Sequence, residues 1–202
     1  MENLASYGFA ILVGFSLSAA CGLRIFAPLA MVSIGLHLGW INPGHGFAWL
    51  GSLPAMVCLC CACVIEILGM LIPWLDHALD VAGAPVAALA GTLIMAAQLA
   101  AASGIETSTM PPWVTGTLAI VVGGGAAFSV HAATGTLRAG STTVSGGLLN
   151  PLFALAETFS SIVLAGLAII LPLLAVLVAI SFILALIAMV YWARQWRQRT
   201  NQ

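Results

Sequence analysis

Charge is scarce in this chain. Only 5% of its 202 residues are Asp, Glu, Lys or Arg, and lysine is absent, since the five basic residues are all arginines. Soluble domains carry charge on about a quarter of their residues, so a chain this poor in charge and 62% hydrophobic, with mean hydropathy +1.14, cannot cover itself in water. A net charge of −1 gives no basic surface for nucleic acid, and no nucleic-acid partner is expected. No basic residue precedes Arg24, so the opening segment lacks the cationic start of a signal peptide and reads as a mature first span. The HExxH, G-x-S-x-G and Walker patterns of familiar hydrolytic and nucleotide chemistry are missing as well.

What is present is a succession of long, continuous apolar runs. A helix needs ~20 apolar residues to cross the hydrocarbon core, and lipid forces every backbone group to be satisfied internally. The runs do not alternate polar and apolar residues, so the fold class expected is all-α, a polytopic transmembrane helical bundle of six or seven spans. The spans read as 5–22, 25–40, 47–73, 81–103, 113–134, 148–169 and 172–194. All six tryptophans, Trp40, Trp49, Trp74, Trp113, Trp192 and Trp196, fall near span ends, where indoles favour the headgroup zone. Breaker clusters at Asn42-Pro43-Gly44 and Met110-Pro111-Pro112 mark connections, and the polar stretch 104–112 with Glu106 marks the midpoint. The whole of 1–202 reads as one transmembrane domain with a short basic tail at 195–202. Arg194, Arg197 and Arg199 follow the last run, which predicts a cytoplasmic C-terminus in a bacterial inner membrane.

Two halves, 1–104 and 111–194, carry a faint echo. Ala20-Cys21-Gly22-Leu23-Arg24 in the first echoes Thr134-Gly135-Thr136-Leu137-Arg138 in the second, and each arginine is followed by one intramembrane glutamate, Glu66 or Glu157; the alternative to a duplication is chance recurrence of a Leu-Arg pair near glycine in an Ala- and Gly-rich chain. Paired repeats with broken helices are a common transporter architecture, with sites near the bilayer midplane. If 25–40 and a shortened counterpart at 139–147 are both re-entrant, the span count is six; if 25–40 crosses, it is seven. Gly35, Gly39 and the Gly123-Gly124-Gly125 run read as close helix packing.

The intramembrane charges are the main functional clue, because each costs at least ~2.5 kcal/mol even on the lenient insertion scale and should face the interior in pairs. Pro28 has no amide proton for the Arg24 carbonyl, so a helix break is expected beside a buried cation. The hydroxyl- and glycine-rich segment 135–147 around Arg138 reads as a broken helix or re-entrant loop, with an interfacial loop and a snorkelling arginine as the plain alternative. Glu66 and Glu157 are expected to pair with the arginines, either as part of a site or as a structural ion pair. Asp76 and Asp80, four apart, share a helical face; they read as a carboxylate pair or, for one of them, as a helix cap. His131 and His77 are candidate proton relays, although an intramembrane histidine is more commonly a packing residue. Cys58-Leu59-Cys60-Cys61-Ala62-Cys63 contains two C-x-x-C spacings, but lies mid-span without a histidine or cation and reads as small hydrophobes.

Gly22-Leu23-Arg24-Ile25-Phe26-Ala27-Pro28, Glu66, Ile72-Pro73-Trp74-Leu75-Asp76 with Asp80 and Pro85, His131-Ala132-Ala133-Thr134, and Ser145-Gly146-Gly147-Leu148-Leu149-Asn150-Pro151 occur in an order that resembles a family of small bacterial membrane proteins with plastid relatives, a domain of unknown function (number 4126). The resemblance implies a helical membrane protein and no particular activity.

The sequence therefore reads as a small transporter or channel-like carrier. Arg24, Glu66, Asp76, Asp80, His131, Arg138 and Glu157 are its candidate substrate-binding or pore-lining residues, and no catalytic residue, metal or cofactor is expected. The expected partners are the bilayer and a small solute or lipid headgroup, anionic or zwitterionic; assembly into a homo-oligomer stays open. The alternatives are a membrane-embedded enzyme acting on a lipid-soluble substrate, and a scaffold or assembly factor whose buried charges fix helix register.

Overall fold

A computed structural model describes residues 2–41, 47–69, 73–102, 111–145 and 149–200, and among them every regular element is helical. In chain order these are α1 (Glu2–Leu23), α2 (Phe26–His37), a 3₁₀ turn (Ala48–Gly51), α3 (Leu53–Gly69), α4 (Pro73–Ala102), α5 (Pro112–Leu118), a π-helical segment (Ala119–Gly124), α6 (Gly125–Ser145), α7 (Asn150–Ile170) and α8 (Pro172–Thr200). Helix α5, the π segment and α6 form one continuous rod, which leaves seven helical rods among the described residues. Five stretches are long and apolar enough to cross a bilayer: Ala5–Leu23, Ala82–Ala102, Pro112–Thr142, Pro151–Ile170 and Pro172–Met189. The chain is thus built as a multi-pass integral membrane protein. Helices α2 and α3 are the shorter apolar pair.

Proline punctuates the starts. Pro73, Pro112 and Pro172 each open a helix, and Pro151 sits in the first turn of α7, where a missing amide proton costs nothing. Pro28 lies in the first turn of α2, just past the expected break at Arg24 and Ile25. At the far end of α2, Gly39 takes φ +72°. The Gly39 amide donates to the Leu36 carbonyl at 3.2 Å and the Trp40 amide to the Gly35 carbonyl at 2.8 Å, a Schellman stop that an L side chain would strain. Gly39 therefore serves backbone geometry and not the helix packing expected of it, since a Cβ there would meet nothing within 4 Å.

Contacts set the directions of the passes. Ser18 donates to the Gly91 carbonyl, and Tyr7 packs with Met95 and Leu99, so α1 and α4 are antiparallel. Ser161 donates to the Ala20 carbonyl and Arg24 to the Ala154 carbonyl, so α7 is antiparallel to α1 as well. Ile170 to Leu174 lie beside Ala5 to Leu12, which starts α8 at the N-terminal end of α1. Met31 reaches the neighbourhood of Gly166, so α2 turns back along α7 instead of extending α1. Helix α3 returns antiparallel to α2, with Gly51 against Leu36 and Glu66 beside Ile25. Each rod thus runs opposite to the one before it.

Two ends follow from this topology. Trp40, Trp49 and Trp113, all exposed, gather towards the end where α1 begins. The other end, the arginine end, carries the close of α1, the starts of α4 and α7, and the closes of α6 and α8.

Helix α1 is the central post, packed on α4, α6, α7 and α8. Its neighbours approach through small residues, because association within lipid depends on close packing and not on hydrophobicity. A Cβ on Gly91 would fall 2.5 Å from the Gly123 carbonyl oxygen, and one on Gly22 2.5 Å from that of Ala127.

Candidate functional site

The break between α1 and α2 places a buried cation beside free backbone donors. Arg24 directly follows α1 and is 3% exposed. Its Nε donates to Thr158 Oγ1 at 3.0 Å, and its Nη2 donates to the Ala154 carbonyl at 2.9 Å and pairs with Glu157 Oε2 at 3.0 Å. Arg138, equally buried near the end of α6, brings its own Nη2 to the same Glu157 Oε2 at 2.9 Å. Two guanidinium groups from opposite halves of the chain thus close on a single carboxylate oxygen. Helices α6 and α7 touch at few places, and the Arg138–Glu157 pair is a polar bridge between them.

Glu66 has a different partner from the one expected. Its Oε1 accepts the Ile25 amide at 2.9 Å and its Oε2 the Phe26 amide at 3.1 Å. These are orphan donors at the start of α2, and no side chain of α2 itself caps them. A carboxylate here satisfies both amides and meets the positive end of the helix dipole. Glu66 is therefore the cap of α2, delivered from α3.

His131 lies two turns before Arg138, with Nδ1 3.2 Å from the Gly22 carbonyl oxygen. Its ring rests against Gly83, where a Cβ would come 2.5 Å from Nε2. Gly83 thus makes room for the imidazole on α4, while Gly22 supplies the carbonyl that faces it on α1. Thr134 donates to the His131 carbonyl and Thr142 to that of Arg138, so both hydroxyls turn onto their own helix.

Five of the seven candidates are placed together: Arg24, Arg138 and Glu157 in direct contact, Glu66 on the next two amides of the chain, and His131 on the carbonyl two residues before Arg24. Asp76 and Asp80 lie in the first turns of α4, at the arginine end, but their side chains and that of His77 are outside the described residues, as is Glu106. Further expectations are corrected. Residues 135–145 continue α6 without a break, so neither a re-entrant loop nor an interfacial loop forms there, and Arg138 is buried in the bundle instead of snorkelling. The shortened re-entrant counterpart of 25–40 expected at 139–147 does not form over the described 139–145. The cluster is also off-centre: counting from Pro151 at ~1.5 Å per residue, Glu157 lies about 9 Å from the arginine end of α7. Of the cysteines, Cys21 is buried, Cys58 and Cys61 are exposed on α3, and all five are free thiols.

Sequence reasoning missed Thr158 and the Ala154 carbonyl as partners of Arg24. A signal was available: Ala154, Glu157, Ser161, Leu164, Ala165 and Ala168 are buried at helical spacing, so the small and hydroxyl residues around Glu157 mark the inward face of α7.

No curated protein and no solved structure matches the chain. A family model described as a domain of unknown function (DUF4126) matches residues 11–192, a range that holds the whole buried charge cluster. This all-helical, multi-pass membrane protein therefore belongs to the DUF4126 family.

Proposed function

We propose that the chain is a small transporter or channel-like carrier of the bacterial inner membrane, which takes an anionic or zwitterionic solute or a lipid headgroup at Arg24, Arg138 and Glu157. The observation that carries this reading is the convergence of two buried guanidinium groups on one carboxylate oxygen beside a helix break. Ionised groups inside a bilayer are costly and concentrate along substrate pathways. Arg194, Arg197 and Arg199 lie in the last turns of α8, at the arginine end, so the positive-inside rule turns that end, and the cluster with it, towards the cytoplasm. Asp76 and Asp80, by their place on α4, belong to the approach from that side.

The test is flux. Purified protein in proteoliposomes is expected to move at least one anionic or zwitterionic solute, and Arg24→Gln and Glu157→Gln are expected to reduce that flux to background while the protein still elutes as a single folded species. A wild type that moves nothing across a broad panel, with variants that fail to insert, would sink the carrier reading.

A second reading, a register lock, is favoured by one observation: the Arg24 guanidinium is held by Thr158 and the Ala154 carbonyl as well as by Glu157. A purely structural ion cluster tolerates replacement of all its members by apolar residues better than removal of one. The triple variant Arg24→Leu, Arg138→Met, Glu157→Leu would then fold at least as well as any single neutralisation.

A further inference from the structure

We propose that the π segment is a rotary switch, which lets α6 turn by one residue and so engage or release His131 and Arg138 together. The inference does not depend on the carrier reading. A π-helical turn holds more residues than an α-helical one, and such segments occur frequently at functional sites. Here it spans Ala119–Gly124, between α5 and α6, so it sets the direction in which every α6 side chain points. From Ala119 the buried stripe steps five residues to Gly124, then three and four in turn to Ala127, His131, Thr134 and Arg138. That one long step is the spare residue.

Were α5 to continue as ordinary α-helix, steps of four and three from Ala119 would instead bring in Gly123, Ala126, Val130, Ala133 and Leu137. Each stands one residue before a member of the present stripe, and none is polar. Gly123, Ala126 and Val130 are already buried, and Ala133 and Leu137 lie half-buried against the core. The rod thus carries a complete second inward face. Its glycines leave it free to turn against α4: a Cβ on Gly123 would fall 2.5 Å from the Gly91 carbonyl oxygen, and one on Gly124 2.6 Å from Thr92 Oγ1. A turn of about 100° takes Arg138 off Glu157 and His131 off the Gly22 carbonyl, and Leu137 and Val130 move into their places. Arg138 stands about 10 Å at ~1.5 Å per residue from the end of α6 at Ser145, a depth from which a turned-out guanidinium reaches the headgroup layer.

The measurement is a distance. With the five native cysteines replaced by alanine, a nitroxide at Ala139, on the outward face of α6, is paired in turn with one at Leu89 on α4 and one at Leu184 on α8, all exposed positions. Pulsed electron spin resonance in nanodiscs reads both pairs, and a Trp113–Leu89 pair reports on α5, which does not turn. Turning by one residue carries a side-chain tip at the helix surface about 8 Å. Wild type is expected to show mainly one Ala139 distance. Losing one charge-assisted bond shifts a two-state balance about tenfold or more, so Glu157→Gln is expected to place at least roughly a tenth of molecules at a second distance, with the Trp113 pair unchanged. Deleting Val121 lets a single α-helix run from Ala119 through the present stripe, so the deletion is expected to fold, keep the first distance and abolish the second in Glu157→Gln. A single distance in Glu157→Gln, a Trp113 pair that moves as well, a second distance that survives the deletion, or a deletion that does not fold overturns the proposal. Should Glu157→Gln fail to fold, Arg138→Leu, which frees α6 and makes both faces apolar at that level, is read in its place against the same outcomes. A second distance without solute flux would leave the switch standing and retire the carrier reading, whereas flux with a single distance would do the reverse.

Discussion

Glu66 shows how a charged residue can be indispensable without an ionic partner. Two amides freed by the α1–α2 break need an acceptor, and no local side chain supplies one. An unsatisfied buried donor costs roughly 1–3 kcal/mol, so Glu66→Ala, which strands two, should destabilise the protein by about 2–6 kcal/mol. Glu66→Gln keeps one acceptor oxygen and should fall between alanine and wild type, as read by chemical unfolding in detergent micelles. If glutamine proves as damaging as alanine, the negative charge matters beyond the two hydrogen bonds and the capping account is incomplete. This residue also marks the limit of legibility. That Arg24, Glu66, Arg138 and Glu157 would be buried and partnered could be read from the cost of charge in lipid. That Glu157 would take both arginines while Glu66 took backbone amides could not, because the choice depends on α3 returning to the N-terminus of α2.

Among the helices, glycine separates into positions fixed by packing and positions that are free. Gly91 and Gly123 each face the other's carbonyl oxygen at 2.5 Å from a would-be Cβ, so α4 and the π segment cross at backbone distance. Gly91→Ala or Gly123→Ala forces the pair apart, at a cost of about 1–3 kcal/mol. Gly135→Ala meets open space within a helix and should be neutral or stabilise by up to ~1 kcal/mol, so the three variants measured side by side separate packing from helix propensity. Gly39→Ala should cost about 1–2 kcal/mol through its left-handed φ alone. The sequence marked the Gly123 run as a packing surface, correctly for Gly123 and Gly124. It also suggested a broken helix at 135–147, where glycine and hydroxyl residues are abundant. The helix holds through 145 because Thr134, Thr136 and Thr142 return their hydroxyls to carbonyls of their own helix, which satisfies them without breaking it. The π segment carried no such signal beyond its weak helix formers.

For the whole molecule, the decisive feature is that α2 doubles back. Were the chain to run straight on from α1, residue 31 would lie beyond the N-terminal end of α7; instead Met31 sits beside Gly166, and the α2–α3 tip heads for the end that holds Trp113 and the start of α1. Sequence periodicity located both helices, but their shortness left open whether they cross or re-enter, since apolar length says nothing about direction. The fold predicts that the two termini lie on opposite faces of the membrane and that the α2–α3 tip shares the face of the N-terminus. In a variant with the five native cysteines replaced by alanine, Trp40→Cys should react with a membrane-impermeant maleimide applied from the face opposite the C-terminus. A C-terminal fluorescent reporter should meanwhile show the cytoplasmic side expected from Arg194, Arg197 and Arg199. Labelling of Trp40→Cys from the C-terminal face alone would mean that the chain does not reverse at Arg24, and the amides that Glu66 caps would then need another acceptor.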